Sequence, residues 1–378
     1  MTTQDEKNRD SFLLTAGPAL ISGAAQAVLF NPFDRALYVR VMYRRHHFLD
    51  RRNFEHPFQG FVNAAVYRTL VAASYLFWQD STRIFIDRYM PACFHASNSP
   101  GVNAFLIGAV AGTLNGSLLN GMQVVKYRMW SVEEKFSFFH VTRNVYEEKG
   151  LSIFFRGIVA TILRDSVFGI VYEMCRNSRN VHCFFTFLGQ SITQKAQYLG
   201  LASPACSHAT DNNSPSPFVA ASHNSGEALS THRAEKPSVD SAVFASNLFA
   251  AMLASVFSSP FNYVRSVVYG VPSGSGPVRY IQLLQFLYLQ TLFVYRSGES
   301  YTSVHATHGG SERVAMNQQD PLRTRLMERS TQRHRYPMAA LRWMNSRLNI
   351  GWGSARVGLG MAISQSIFVF VQSCWKAV

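Results

Sequence analysis

Acidic residues are the scarce class in this sequence. Its 378 residues hold 22 Asp and Glu against 36 Lys and Arg, giving a formal net charge of +14, and charged residues of both signs make up only 15%. A typical globular chain carries about 25%, so this composition argues against two or three ordinary soluble domains. Cysteine is scarce too. Cys93, Cys175, Cys183, Cys206 and Cys374 are odd in number, widely scattered and form no CxxC, which excludes a disulfide framework. No P-loop, GxGxxG, GxSxG or HExxH stands in a supporting context, so the chain does not read as an enzyme and calls for no cofactor. No zinc-ligand spacing and no basic repeat interleaved with aromatics speaks for nucleic acid. His46 and His47 are adjacent, share no helix face and have no suitably spaced carboxylate, so no metal site is predicted. The opening MTTQDEKNRD has neither the basic-then-apolar layout of a secretory signal nor the acid-poor layout of a cleaved transit peptide; membrane targeting is expected to be internal.

What is present is apolar surface. Hydrophobic residues reach 47% and aromatics 13%, yet mean hydropathy is close to zero, so the polar residues must be segregated. Ser11–Asn31, Tyr89–Val125, Ser241–Val264 and Val357–Trp375 contain no Asp, Glu, Lys or Arg. Each holds the roughly 20 residues that a helix needs to cross a bilayer. Two further apolar stretches are broken by charge: Tyr67–Gln79 by Arg68, and Gly157–Tyr172 by Arg164 and Asp165. Charge deep in a membrane helix faces a watery cavity, so six spans are predicted, two of them with charge turned inward. Gly108, Gly112 and Gly116, like Ala19, Gly23 and Ala27, recur every four residues, the spacing that lets membrane helices pack closely.

Charge collects between the spans. Arg35 to Arg52 contains six arginines and Arg279 to Arg347 contains ten. Basic loops mark the side that is not translocated, which puts these loops on one face and both termini on the other. Residues 200–240, rich in Ser, Ala, Pro, Asn and His, read as a flexible linker. Residues 297–335 are likewise polar and Arg-rich, and Arg279–Arg296 reads as an interfacial amphipathic helix.

The strongest signal is an internal repeat. Three charge-free helices end in NPFDRALYVR (31–40), NGMQVVKYR (120–128) and SPFNYVRSV (259–267), aligning Pro32, Gly121 and Pro260, then Asp34, Gln123 and Asn262, then Leu37, Lys126 and Arg265. Downstream stand FQG (58–60), FFRG (154–157) and the GWG of Gly351–Gly353, each opening the next apolar span. This pattern resembles the mitochondrial carrier family, whose threefold repeat has a helix ending in Pro-x-Asp/Glu-x-x-Lys/Arg, a short surface helix and an aromatic-x-Gly entry. The resemblance covers residues 11–180 and 241–376. It implies an all-α membrane protein of six transmembrane helices, arranged as three pseudo-symmetric repeats around a central cavity with short matrix-side surface helices. The repeats would be 1–95, 96–199 and 241–378, with 200–240 an insertion and a long basic matrix-side loop at about 271–347. The inner membrane, with the termini toward the intermembrane space, would be its location.

The resemblance also implies site residues. Pro32 and Pro260 would kink their helices. The matrix gate would pair Asp34 with Lys126, Gln123 with Arg265 and Asn262 with Leu37, so that one ion pair of three survives, with a hydrogen bond at Gln123–Arg265. The intermembrane-side gate would use Asp80 and Arg83 after the first even helix and Lys376 at the last. Tyr172, Glu173 and Arg176 look like that motif but sit four residues early. Substrate positions, seven to eight residues after the entry glycine, map to Tyr67 and Arg68, to Arg164 and Asp165, and near Gly358 to Met361. An arginine beside an aspartate suits a solute with a carboxylate and an amine. The expected function is alternating-access transport of a small anionic or zwitterionic, carboxylate- or amino-acid-like solute. The alternative is a transport-inactive, carrier-like subunit of a larger inner-membrane complex, such as a respiratory assembly. Arg51, Arg52 and the arginines of 323–335 are expected to meet cardiolipin or other anionic headgroups.

Overall fold

The computed structural model describes residues 2–42, 48–131, 137–177, 183–184, 187, 191, 241–270, 279–299, 319–328 and 335–376. The predicted linker at 200–240, His46 and His47, Cys206 and most of 297–335 lie outside the described residues. Every regular element among the described residues is helical. The long helices are α1 (Thr2–Met42), α2 (Phe61–Tyr89), α3 (Pro100–Ser131), α5 (Ile158–Asn177), α6 (Ser241–Gly270) and α10 (Ile350–Lys376). Four shorter ones are α4 (Phe138–Lys149), α7 (Tyr280–Ser297), α8 (Gln319–Glu328) and α9 (Pro337–Leu348). The long helices pack in order, α1 on α2, α2 on α3, α3 on α5, α5 on α6, α6 on α10 and α10 back on α1, closing a ring. Three of them, over Pro100–Trp130, Val243–Tyr269 and Ile350–Trp375, are long and apolar enough to cross a membrane.

The glycine stripe on α3 sets the tightest contact in this ring. A Cβ on Gly108 would collide with the Gly169 carbonyl of α5, and one on Gly112 with the carbonyl of Asp165. Thr113 and Ser166 hydroxyls meet at 2.7 Å beside them. The α1 stripe behaves in the same way, since a Cβ on Gly23 would lie 2.8 Å from Thr69 Cα of α2. Backbones approach this closely only where side chains are absent.

Both predicted kink prolines lie inside continuous helices, Pro32 in α1 and Pro260 in α6. A proline leaves the carbonyl four residues earlier without its donor. For Pro260 that carbonyl is Val256, and it accepts from the Ser259 hydroxyl at 2.7 Å instead.

The short helices crowd one end of the ring. Ser137 caps α4 by accepting from the His140 amide, Val141 and Val145 bury against Val124 and Val125 of α3, and Arg128 pairs with Glu148 at 3.1 Å. The stretch read as an interfacial helix is α7. It packs Leu283 and Leu287 on Val264 and Val268 of α6, and Phe286 and Phe293 on Leu322 and Leu326 of α8. Gln290, which interrupts its apolar run, is buried.

Overpacking a closed backbone contact costs about 1–3 kcal/mol. Gly108→Ala is therefore expected to lower the midpoint of thermal unfolding in detergent. Gly101→Ala, where an added Cβ meets nothing within 4 Å, is expected to leave it within a degree or two.

Candidate solute-binding cavity

The ring encloses a cavity of about 350 Å³, within the size range of small-molecule sites. Seven cationic side chains line it, Arg68, Lys126, Arg164, Arg176, Arg265, Arg347 and Arg356, against the carboxylates of Asp34, Asp165 and Glu173. The cavity lining is therefore net cationic, like the chain as a whole.

A recurring backbone turn positions the central tier. Gly60, Gly157 and Asn349 have φ of 70°, 74° and 54°, and the carbonyl of each accepts from the amide four residues on, Ala64, Thr161 and Gly353, at 3.0 Å in all three cases. Two of these turns are fastened alike: Asn31 Nδ2 donates to the Pro57 carbonyl at 3.0 Å, and Asn120 Nδ2 to the Phe154 carbonyl at 2.6 Å. Seven residues after the three turns stand Tyr67, Arg164 and Arg356; eight after stand Arg68, Asp165 and Val357. All six line the cavity. Counting from the GWG glycines had pointed to Gly358, which instead packs on Leu248 and Met252 of α6. The third turn is made by asparagine, the non-glycine residue that best tolerates left-handed backbone. Counting from Asn349 would have found Arg356.

Asp34 joins the tier together. Arg68 forms a close ion pair with its Oδ2 and also donates to Gln26 at 2.9 Å. Arg356 Nη2 donates to the same carboxylate at 2.7 Å, and its Nε sits 2.5 Å from Oδ1. These groups are only 11–13% exposed. Opposite them, Arg164 pairs with Asp165 and lies over Phe168.

The gate pairs implied by the repeat are arranged differently. Asp34 is occupied by Arg68 and Arg356, and among the described residues no ion pair joins it to Lys126. The Lys126 ammonium rests on Trp130, 4.3 Å from the ring centroid, and 5.6 Å from that of Tyr67. Arg265 donates to Asn262 of its own helix at 2.7 Å and to Tyr127 Oη at 3.4 Å, rather than across to Gln123. Gln123 is buried beside the cavity, and Leu37 packs with Ala36 and Phe48. Aromatic rings pack between the helices at this end. Tyr38 and Tyr127 meet at 5.2 Å, Tyr127 and Tyr269 at 5.0 Å, and Tyr38 and Trp130 at 5.4 Å. Such pairs contribute about 0.5–1.5 kcal/mol each beyond their area.

At the opposite end, Asp80 faces outward, 65% exposed, with Arg83 of its own helix at 3.9 Å. Lys376 ends α10, and its side chain is outside the described set. At this end the cavity is lined by Glu173. Fully buried, it accepts from Gln79 at 3.1 Å, Tyr75 Oη at 3.3 Å and Asn177 at 3.2 Å. The motif-like Tyr172, Glu173 and Arg176 all line the cavity.

With this geometry in place, comparison adds one positive finding. Residues 97–180 match the family described as Mitochondrial carrier protein, and the match spans α3, α4 and α5. No curated protein matches the chain.

Removing one partner of a buried ion pair costs about 3–5 kcal/mol because the other charge is left stranded. Asp34→Asn strands two guanidinium groups and is expected to cost at least that much, read as a fall in thermal unfolding midpoint.

Proposed function

We propose that this chain is a mitochondrial carrier, of a family of transporters rather than enzymes, and that it exchanges a small carboxylate-bearing solute across the inner mitochondrial membrane by alternating access. The reading places six spans in three repeats, 1–95, 96–199 and 241–378, with 200–240 as a linker. The termini face the intermembrane space, and the basic segments, including about 271–347, face the matrix. The observation that carries it is the tier of Arg68, Arg164 and Arg356, one from each of α2, α5 and α10, around a cavity whose lining is strongly cationic. Planar guanidinium groups fit carboxylates, and Asp34, already held by two of them, marks the geometry that a solute carboxylate would take. Asp165 beside Arg164 would receive an amine if the solute has one. Arg51 and Arg52, exposed in the short turn Arg51–Phe54, are the proposed contacts for cardiolipin or another anionic lipid.

A second reading, a transport-inactive subunit of a larger inner-membrane complex, is favoured by one observation. At the end that includes Gln123 and Asn262 aromatic rings pack between the helices, and among the described residues no ion pair joins α3 to α1 or to α6. A gate without such pairs has fewer charged contacts to make and break in a cycle.

Reconstitution into liposomes loaded with amino acids, keto acids or dicarboxylates separates the two. Transport predicts saturable exchange of at least one solute class. Losing a charge-assisted hydrogen bond of about 1.5–3 kcal/mol corresponds to roughly 10- to 100-fold, so Arg356→Gln should cut uptake by that much and Arg143→Gln, on the surface of α4, should not. Absence of exchange from folded protein, with migration in a large complex on native electrophoresis, would favour the second reading.

A further inference from the structure

The end of the cavity beside α4 holds two cationic side chains, Lys126 and Arg265, with which no carboxylate among the described residues forms an ion pair. Lys126 and Arg265 both line the cavity and are only 6% and 5% exposed. Nη2 of Arg265 donates to Asn262 and Tyr127, while its Nε and Nη1 have no acceptor. Lys126 has aromatic faces, Trp130 and Tyr67, but among the described residues no carboxylate at ion-pair distance. Lys126 lies within electrostatic reach of Arg265, Arg68 and Arg164, with Asp34 the carboxylate nearest in influence. The cavity's acids are engaged elsewhere: Asp34 with Arg68 and Arg356, Asp165 with Arg164, and Glu173 at the opposite end. Three residues before each cation stand neutral amides, Gln123 and Asn262.

Buried N–H groups on a charged guanidinium are costly to leave unmade, and two buried like charges with no carboxylate in direct contact repel more strongly in a low-dielectric site than in water. A soluble oxyanion removes both penalties. We propose that Lys126 and Arg265 form a second anion-binding subsite, deeper than the arginine tier, which takes a carboxylate or phosphate oxyanion between them. This rests on the transport reading only in treating the cavity as the solute site. The oxyanion is either the second acidic group of a diacid, whose first group meets Arg68, Arg164 and Arg356, or an independent inorganic anion. Tyr67, Tyr127 and Trp130 form apolar walls around the subsite. Because Tyr127 and Trp130 also belong to the aromatic cluster, an anion bound here favours the closed arrangement of this end.

Thermal unfolding of the purified full chain in detergent, titrated with inorganic phosphate, glutarate and butyrate, tests the proposal. Phosphate should raise the midpoint saturably in the wild type. Lys126→Gln and Arg265→Gln should each raise the half-saturating phosphate concentration at least tenfold, and Arg88→Gln, on the exposed face of α2, should not. The double variant Gln123→Glu/Asn262→Asp, which supplies near-isosteric internal carboxylates, should melt above the wild type without phosphate and lose the phosphate response. Glutarate half-saturating at least tenfold below butyrate, in competition with phosphate, identifies the second group of a diacid. Additive stabilisation by butyrate and phosphate identifies an independent anion. Folded wild type that does not respond to phosphate overturns the subsite. So does a response that survives in both Lys126→Gln and Arg265→Gln, or one lost only in Arg356→Gln. Liposome exchange is scored separately: a phosphate response with no exchange overturns the transport reading and leaves the subsite standing.

Discussion

The Asp34 carboxylate carries more of this architecture than any other single group. It projects from α1 between the two helices that flank α1 in the ring, and it receives Arg68 from one and Arg356 from the other. A ring of helices is only as closed as its weakest seam. Here both seams of α1 meet at one carboxylate, and the largely buried charges need one another because burial strips most of their hydration. The arrangement also fixes two guanidinium planes toward the cavity, so closing the ring and shaping the site are one act.

The chain holds its remaining seams by other means. Between α3 and α5 there are no side chains at the closest points, only glycine and carbonyl groups. The turn before α2 is stitched by Gln59, which accepts from Arg35 and donates to the Met129 carbonyl at 2.8 Å, while Trp130 Nε1 returns a bond to its carbonyl at 3.1 Å. Toward α4 the interhelical adhesive is aromatic. Tyr38, Tyr127, Trp130 and Tyr269 take the space in which oppositely charged side chains would have met.

Much of this was legible beforehand, for physical reasons. Charge-free stretches of helix-spanning length, the four-residue glycine spacing and the recurrent Asn-Pro and Asn-Gly endings are local signals, and each corresponds to a helix, a close contact or a fastened turn. Glycine marks only two of the three left-handed turns; Asn349 makes the third and shifts the count to Arg356. The partners of Asp34 were not legible. Arg68 was read as a solute contact and Lys126 as the gate base, and only the packing of α10 against α1 brings a second arginine to the same oxygens. Glu173 was passed over because its position was judged from the motif's spacing. Its burial against Gln79 and Tyr75 comes from α2, a partner that no local pattern reveals.

The contact of Gly108 with Gly169 carries a mechanical implication. Two backbones that touch have no intervening side chains to change rotamer, so α3 and α5 lack the lubricating layer that lets helices slide or roll past each other. They move as one rigid lever. Rearrangement of the ring is then carried by seams where side chains interleave, such as Tyr172 of α5 against Ala250, Ala251 and Ala254 of α6. The segment that matches the family's pattern is therefore also where two helices lie backbone to backbone.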